Sequence, residues 1–296
     1  MEKQRDLFTG WASLGLNSND NEIGLGKNQS TPADIDDERD TSAHLSLGLN
    51  WLALDEGGQL VQLGYRYNNF RYSDLTHLNT DEHTLQGIYS KWLLPGLLGS
   101  AVLSLSMNEL DSERFLNRKM LRLGVSKQLS DDRQIGGDYS YTDNNFKHPA
   151  LTGVFDRDGQ NQPLGVHIRQ SIKDWSTRAA LKLVSSGTRG NDFESDGVIL
   201  QLSANRHLGD VNLADDSYPI DFTAYFGLST SDYDGVNSLS STRRGDDNTQ
   251  LSLGLSTELR ENWTAAVSLS HLENRSNIAF YEYDRTQFNA SVSYNF

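Results

Sequence analysis

The last ten residues, Gln287-Phe288-Asn289-Ala290-Ser291-Val292-Ser293-Tyr294-Asn295-Phe296, alternate without a break: every even position is apolar or aromatic and every odd one polar. A period of two belongs to a β-strand with one greasy and one wet face. A strand of this kind has two requirements. Its greasy face needs an apolar environment, and its edges need neighbouring strands.

Composition narrows what that environment can be. Only 36% of the 296 residues are hydrophobic. No run of about 18 apolar residues exists, which excludes a transmembrane helix. It does not exclude a transmembrane barrel, whose apolar surface is hidden in alternation and reads as hydrophilic on average. Five prolines are few, while 25 glycines and 12 tyrosines suit curved strands and aromatic girdles at a membrane interface. The absence of cysteine removes disulfides and thiolate metal sites. A net charge of −14 argues against a nucleic-acid partner.

Scoring for period two along the chain predicts strands at 8–18, 42–54, 59–72, 83–94, 99–109, 117–129, 134–146, 163–172, 175–186, 196–207, 218–230, 247–259, 262–273 and 285–296. Each is near or a little above the roughly 9–11 residues needed to cross a bilayer at a tilt. Short connections at Asp55–Gly58, Pro95–Leu98, Ser130–Arg133, Lys173–Asp174 and Arg260–Glu261 alternate with longer polar ones at 19–41, 73–82, 110–116, 147–162, 187–195, 231–246 and 274–284. A connection of middling length is expected at 209–217. Sorting of loops by parity is the mark of a barrel with short turns at one membrane face and long loops at the other. The fold class is therefore all-β: a transmembrane antiparallel up-and-down β-barrel of about 14 strands, with 16 as the runner-up count.

Strand phase then assigns faces. Leu47, Leu63, Leu123, Leu200, Phe226, Leu253, Val267 and Val292 fall on the apolar face and are expected to meet lipid at mid-membrane. The opposite face carries arginines in mid-strand. A lumen bounded by so many strands is too wide to fill with side chains, which favours polar-in, apolar-out. Arg66, Arg122, Arg169, Arg178 and Lys182, with Asp138 among them, are expected to line that lumen as candidates for transport, or to pair with one another and stiffen the wall.

Catalysis and ion binding find weaker support. His44 and Ser46 share a face, yet Leu45 and Leu47 claim the lipid side and leave the pair facing the lumen without a third orienting group. No catalytic residue is assigned. The acidic stretch 34–40 and Asp156-Arg157-Asp158-Gly159 offer carboxylates but lack the spacing of a complete calcium loop, so no metal or other cofactor is expected.

The alternating, aromatic-terminated ending resembles the closing strand of bacterial outer-membrane barrels, with Phe296 as the residue that closes the barrel. Three phrases extend the likeness: Leu14-Gly15-Leu16-Asn17-Ser18-Asn19-Asp20-Asn21, Gly64-Tyr65-Arg66-Tyr67-Asn68-Asn69-Phe70-Arg71-Tyr72, and Ser276-Asn277-Ile278-Ala279-Phe280-Tyr281-Glu282-Tyr283-Asp284-Arg285. In this order they resemble the C-terminal barrel of proteins built as periplasmic helical repeats plus a barrel, and most of all the surface lipoprotein assembly modifier family. The resemblance implies a monomeric barrel in the outer membrane, termini periplasmic and long loops extracellular. It would be inserted by the barrel-assembly machinery and assist export of specific lipoproteins or other proteins. An exopolysaccharide-export barrel and a small-solute porin are the alternatives. Residues 1–296 read as one barrel domain. Met1-Glu2-Lys3-Gln4 has no apolar signal region, so the natural chain is expected to continue upstream with the periplasmic repeats.

Overall fold

In the computed structural model, which describes residues 7–25, 38–147, 153–213, 216–238 and 240–296, the chain forms fourteen antiparallel strands closed into one barrel. In chain order these are β1 (Phe8–Asn19), β2 (Asp40–Glu56), β3 (Gln59–Tyr72), β4 (Thr80–Leu94), β5 (Leu97–Leu110), β6 (Glu113–Ser130) and β7 (Arg133–Phe146). There follow β8 (Gly159–Ile172), β9 (Trp175–Thr188), β10 (Ser195–Leu213), β11 (Asp216–Val236), β12 (Arg243–Arg260), β13 (Trp263–Ser276) and β14 (Tyr283–Asn295). Each strand pairs with its sequence neighbours, and β1 pairs with β14 to close the ring. The helical content of the described residues is three short 3-10 turns at 76–78, 153–155 and 279–281.

Closure is set by a nine-pair register from Trp11↔Asn295 to Asn19↔Gln287. Beyond it, Gly10 and Phe296 exchange backbone hydrogen bonds of 2.7 and 2.8 Å. On the polar face of the seam, the hydroxyls of Ser13 and Ser293 meet at 2.9 Å.

Two connections differ from the sequence reading. The stretch 110–116, expected as a long loop, turns in two residues: Asp111 and Ser112 both sit at positive φ, 49° and 67°, as the twist of a tight hairpin demands. The strict alternation of loop lengths fails at this point. Of the stretch 209–217, expected as a connection, residues 209–213 continue β10 and residues 216–217 belong to β11. Pairing of β10 with β9 ends at Arg206↔Trp175, and pairing of β11 with β12 begins at Ile220↔Thr257. The β10–β11 register shifts at a bulge between His207 and Gly209, and from Asp210↔Pro219 to Leu213↔Asp216 the two strands pair only with each other. The result is a short two-stranded ribbon standing off the barrel rim, about four residues per strand or roughly 13 Å long. It rises from the end that carries the two-residue turns at 57–58, 95–96, 131–132, 173–174 and 261–262.

The long-loop end is ordered by buried polar groups. Asp40, only 6% exposed, accepts hydrogen bonds from the backbone N–H groups of Thr41, Asp74 and Leu75. The guanidinium of Arg244 is held against Asp246 and lies over the rings of Tyr281 and Tyr233, at 3.4 and 4.4 Å from their centroids.

Candidate functional site

The register sorts side chains onto two faces, and burial identifies them. On one face polar groups are enclosed: Asn17, Ser42, Asp138, Ser140 and Asn274 are all under 10% exposed. On the other, leucines and valines stand open, Leu63 at 46% and Leu253 at 43%. Side chains crowd on the concave side of a closed barrel and splay on the convex side, so the polar face is the lumen. A polar cavity agrees, since Trp11, Asn50, Arg66, Glu82, Gln86 and Arg118 line it together from β1 to β6.

Leu47, Leu63, Leu123, Leu200, Leu253, Val267 and Val292 lie on the convex face and are exposed there. Phe226 shares it, in register with Leu202 and Leu251. An apolar outer surface of this extent has no stable home in water, whereas a bilayer solvates it. At the end with the two-residue turns, Phe8 stacks on Trp51, Trp175 meets Phe222 edge-on, and Trp263, Tyr294 and Phe296 form a chain of rings. Such a band suits the boundary between hydrocarbon and headgroups.

On the concave face, Arg66 from β3 lies apart from the rest, beside Glu82 and Arg118. The remaining five predicted residues come together on β6–β9. Arg122 Nη2 lies 3.2 Å from Asp138 Oδ1. Arg169 and Arg178 are direct cross-strand partners, and Lys182 stands opposite Gly165, next to Asp138 across the β7–β8 register. The sequence reading missed His167, whose Nδ1 is 3.8 Å from Asp138 Oδ1. Its ring occupies the space over Gly136, where any Cβ would come within 2.7 Å. The only signal available was its polar phase between Val166 and Ile168.

The weaker candidates take on other duties. His44 is on the concave face, stacked on Phe70 at 5.5 Å and set over Gly15. The carboxylate of Asp158 already accepts from the Phe146 N–H, the Asn145 amide and Arg189, which leaves little of it for a cation. Residues 34–37 of the other acidic stretch lie outside the described residues.

A closed antiparallel barrel, polar within and apolar without, is the fold of bacterial outer-membrane barrels. Solved structures agree on that fold. The chain is similar to a bacterial polysaccharide outer membrane secretin (TM-score 0.51, 9% identity, 96% of this chain and 98% of that one). It is also similar to a deletion mutant of the monoaromatic hydrocarbon channel TodX (0.52, 11%, 98% and 90%). A loop-deletion mutant of OmpT, an outer membrane protein of Vibrio cholerae, aligns with TM-score 0.53 at 9% identity over 98% of this chain and 100% of that one. No protein-family model matches the chain, and no curated protein matches it.

Proposed function

We propose that this barrel is a translocation channel of the outer membrane that assists export of specific lipoproteins or other proteins to the cell surface. Its two-residue turns and β10–β11 ribbon would face the periplasm, and its longer loops the exterior. The ribbon is the observation that carries this reading. At its base, on the inward face, the His207 imidazole lies 3.1 Å from Asp221 and 3.5 Å from Asp210. Its outward face carries Val211 and Tyr218 in register with each other. A passive pore has no need of a projection at its mouth, whereas a device that receives a client needs a surface on which to meet it. The resemblance of the sequence to the surface lipoprotein assembly modifier barrels supports the same reading.

The test is surface labelling of lipoproteins in cells that carry the full-length protein, the same protein with 208–219 replaced by a two-residue turn, or neither. Loss of one labelled species in the last two strains, with the shortened barrel still folded, supports export. If surface proteins are unchanged while polysaccharide or small-solute efflux falls, the export reading is wrong.

A further inference from the structure

The lumen wall built by β6–β9 carries more positive charge than the described structure neutralises. Its inward positions hold Arg122, Arg169, Arg178 and Lys182, against one carboxylate, Asp138, among the described residues. Asp138 is already engaged with Arg122 at 3.2 Å. Arg169 and Arg178 face each other directly across the β8–β9 register. Like charges in that position repel. Among the described residues, no carboxylate forms an ion pair with either, and the Nε of Arg178 is sealed from solvent without a hydrogen-bond partner. The next strand adds only neutral groups: Ser203 opposite Arg178, and Gln201, whose amide donates to the Tyr225 hydroxyl at 3.2 Å. In a chain of net charge −14, this is a local reversal of sign, arranged on one side of the lumen and beginning close to the end with the two-residue turns.

We propose that this wall is a binding site for carboxylate-bearing ligands. One carboxylate is clamped by the paired guanidiniums of Arg169 and Arg178, and further carboxylates of the same ligand reach Lys182 and Arg122 deeper in the lumen. Two planar forks side by side match carboxylate geometry, and a bound anion turns their mutual repulsion into attraction. The site deepens the channel reading, on which it rests only for access of ligand to the lumen. The carboxylates have two possible sources, a free polycarboxylate solute or an acidic stretch of a polypeptide in transit.

The experiment is isothermal titration of the full-length protein in detergent at low ionic strength with citrate, with a hexaglutamate peptide and with a hexalysine peptide. Citrate, hexaglutamate or both bind, and hexalysine does not. Arg169→Gln/Arg178→Gln weakens the binding at least tenfold, while Arg169→Lys/Arg178→Lys keeps most of it. Binding of hexaglutamate alone assigns the site to a polypeptide, and of citrate alone to a solute. Folding of each variant is checked by its heat-modifiable mobility. If the glutamine pair does not fold, salt decides: a site of this kind loses about tenfold in affinity between roughly 20 and 200 mM salt. Absence of anion binding to the wild-type barrel, equal binding to the glutamine pair, or binding indifferent to salt overturns the proposal. Client display and anion binding are separate readouts, so either reading can fail while the other stands.

Discussion

The ring of Phe296 lies over Gly10 of the neighbouring strand, so close that a Cβ at position 10 would stand 2.5 Å from its Cε2 and Cζ atoms. The ring and the two flanking backbone hydrogen bonds finish the β1–β14 seam on the convex face. Gly10→Val therefore displaces the ring, at a cost of about 1–3 kcal/mol for overpacking. The temperature at which the folded band disappears in gel electrophoresis should fall, and Phe296→Ala in the Gly10→Val background should recover part of the loss. An unchanged transition in Gly10→Val would mean that the ring does not contribute to closure.

Leu253 pairs with Ala224 and Leu269 in the middle of the convex face. Leu253→Arg puts a charge where no partner stands and should cost on the order of 2–4 kcal/mol in a bilayer. The same change at Ser252, which points inward, should cost much less. Chemical unfolding from lipid vesicles measures both, and equal costs at the two positions would contradict the assignment of faces.

Ser112 sits at φ 67° in the β5–β6 turn, a left-handed conformation that costs an L-residue about 1 kcal/mol. Ser112→Gly removes that cost and should stabilise the barrel by about as much. No gain in the unfolding midpoint would mean that 110–116 is not the tight turn described.

The stretches that sequence could not resolve share one physical cause. Alternation is visible only where one face meets lipid, so Leu45, Leu47 and Leu49 announce β2 plainly. Glu113 and Arg114 begin β6 beyond the apolar band, where the period-two signal vanishes; that start of the strand therefore read as loop. Asp210, Asn212 and Ser217 in the ribbon read as a connection for the same reason. Phase alone put Arg169 and Arg178 on the inner face. That they stand opposite each other depends on the stagger between β8 and β9, which no single strand encodes.

Asp138 is 9% exposed and is the carboxylate of the β6–β9 wall. Asp138→Asn keeps its size and removes its charge, leaving Arg122 beside Arg169 and Arg178 without a counter-charge. Because the Arg122 side chain is 44% exposed, water softens the effect to about 1 kcal/mol at low ionic strength. Added salt at roughly 0.5 M should screen the repulsion and restore most of the loss. A destabilisation that ignores salt would make Asp138 a packing residue.

The β10–β11 hairpin also bears on the order in which the wall assembles. Its strands are separated by two residues of chain and run together through eighteen register pairs. The seam joins Trp11 to Asn295, almost the full length of the chain apart. Closing a loop costs more entropy as it lengthens, and hairpins form within microseconds. The hairpin is thus among the pairings most easily made before the barrel exists, and the seam is the last. Until Phe296 reaches Gly10, β1 and β14 each present a bare row of peptide groups, and anything that inserts this chain into a membrane must cover those two edges and then release them toward each other.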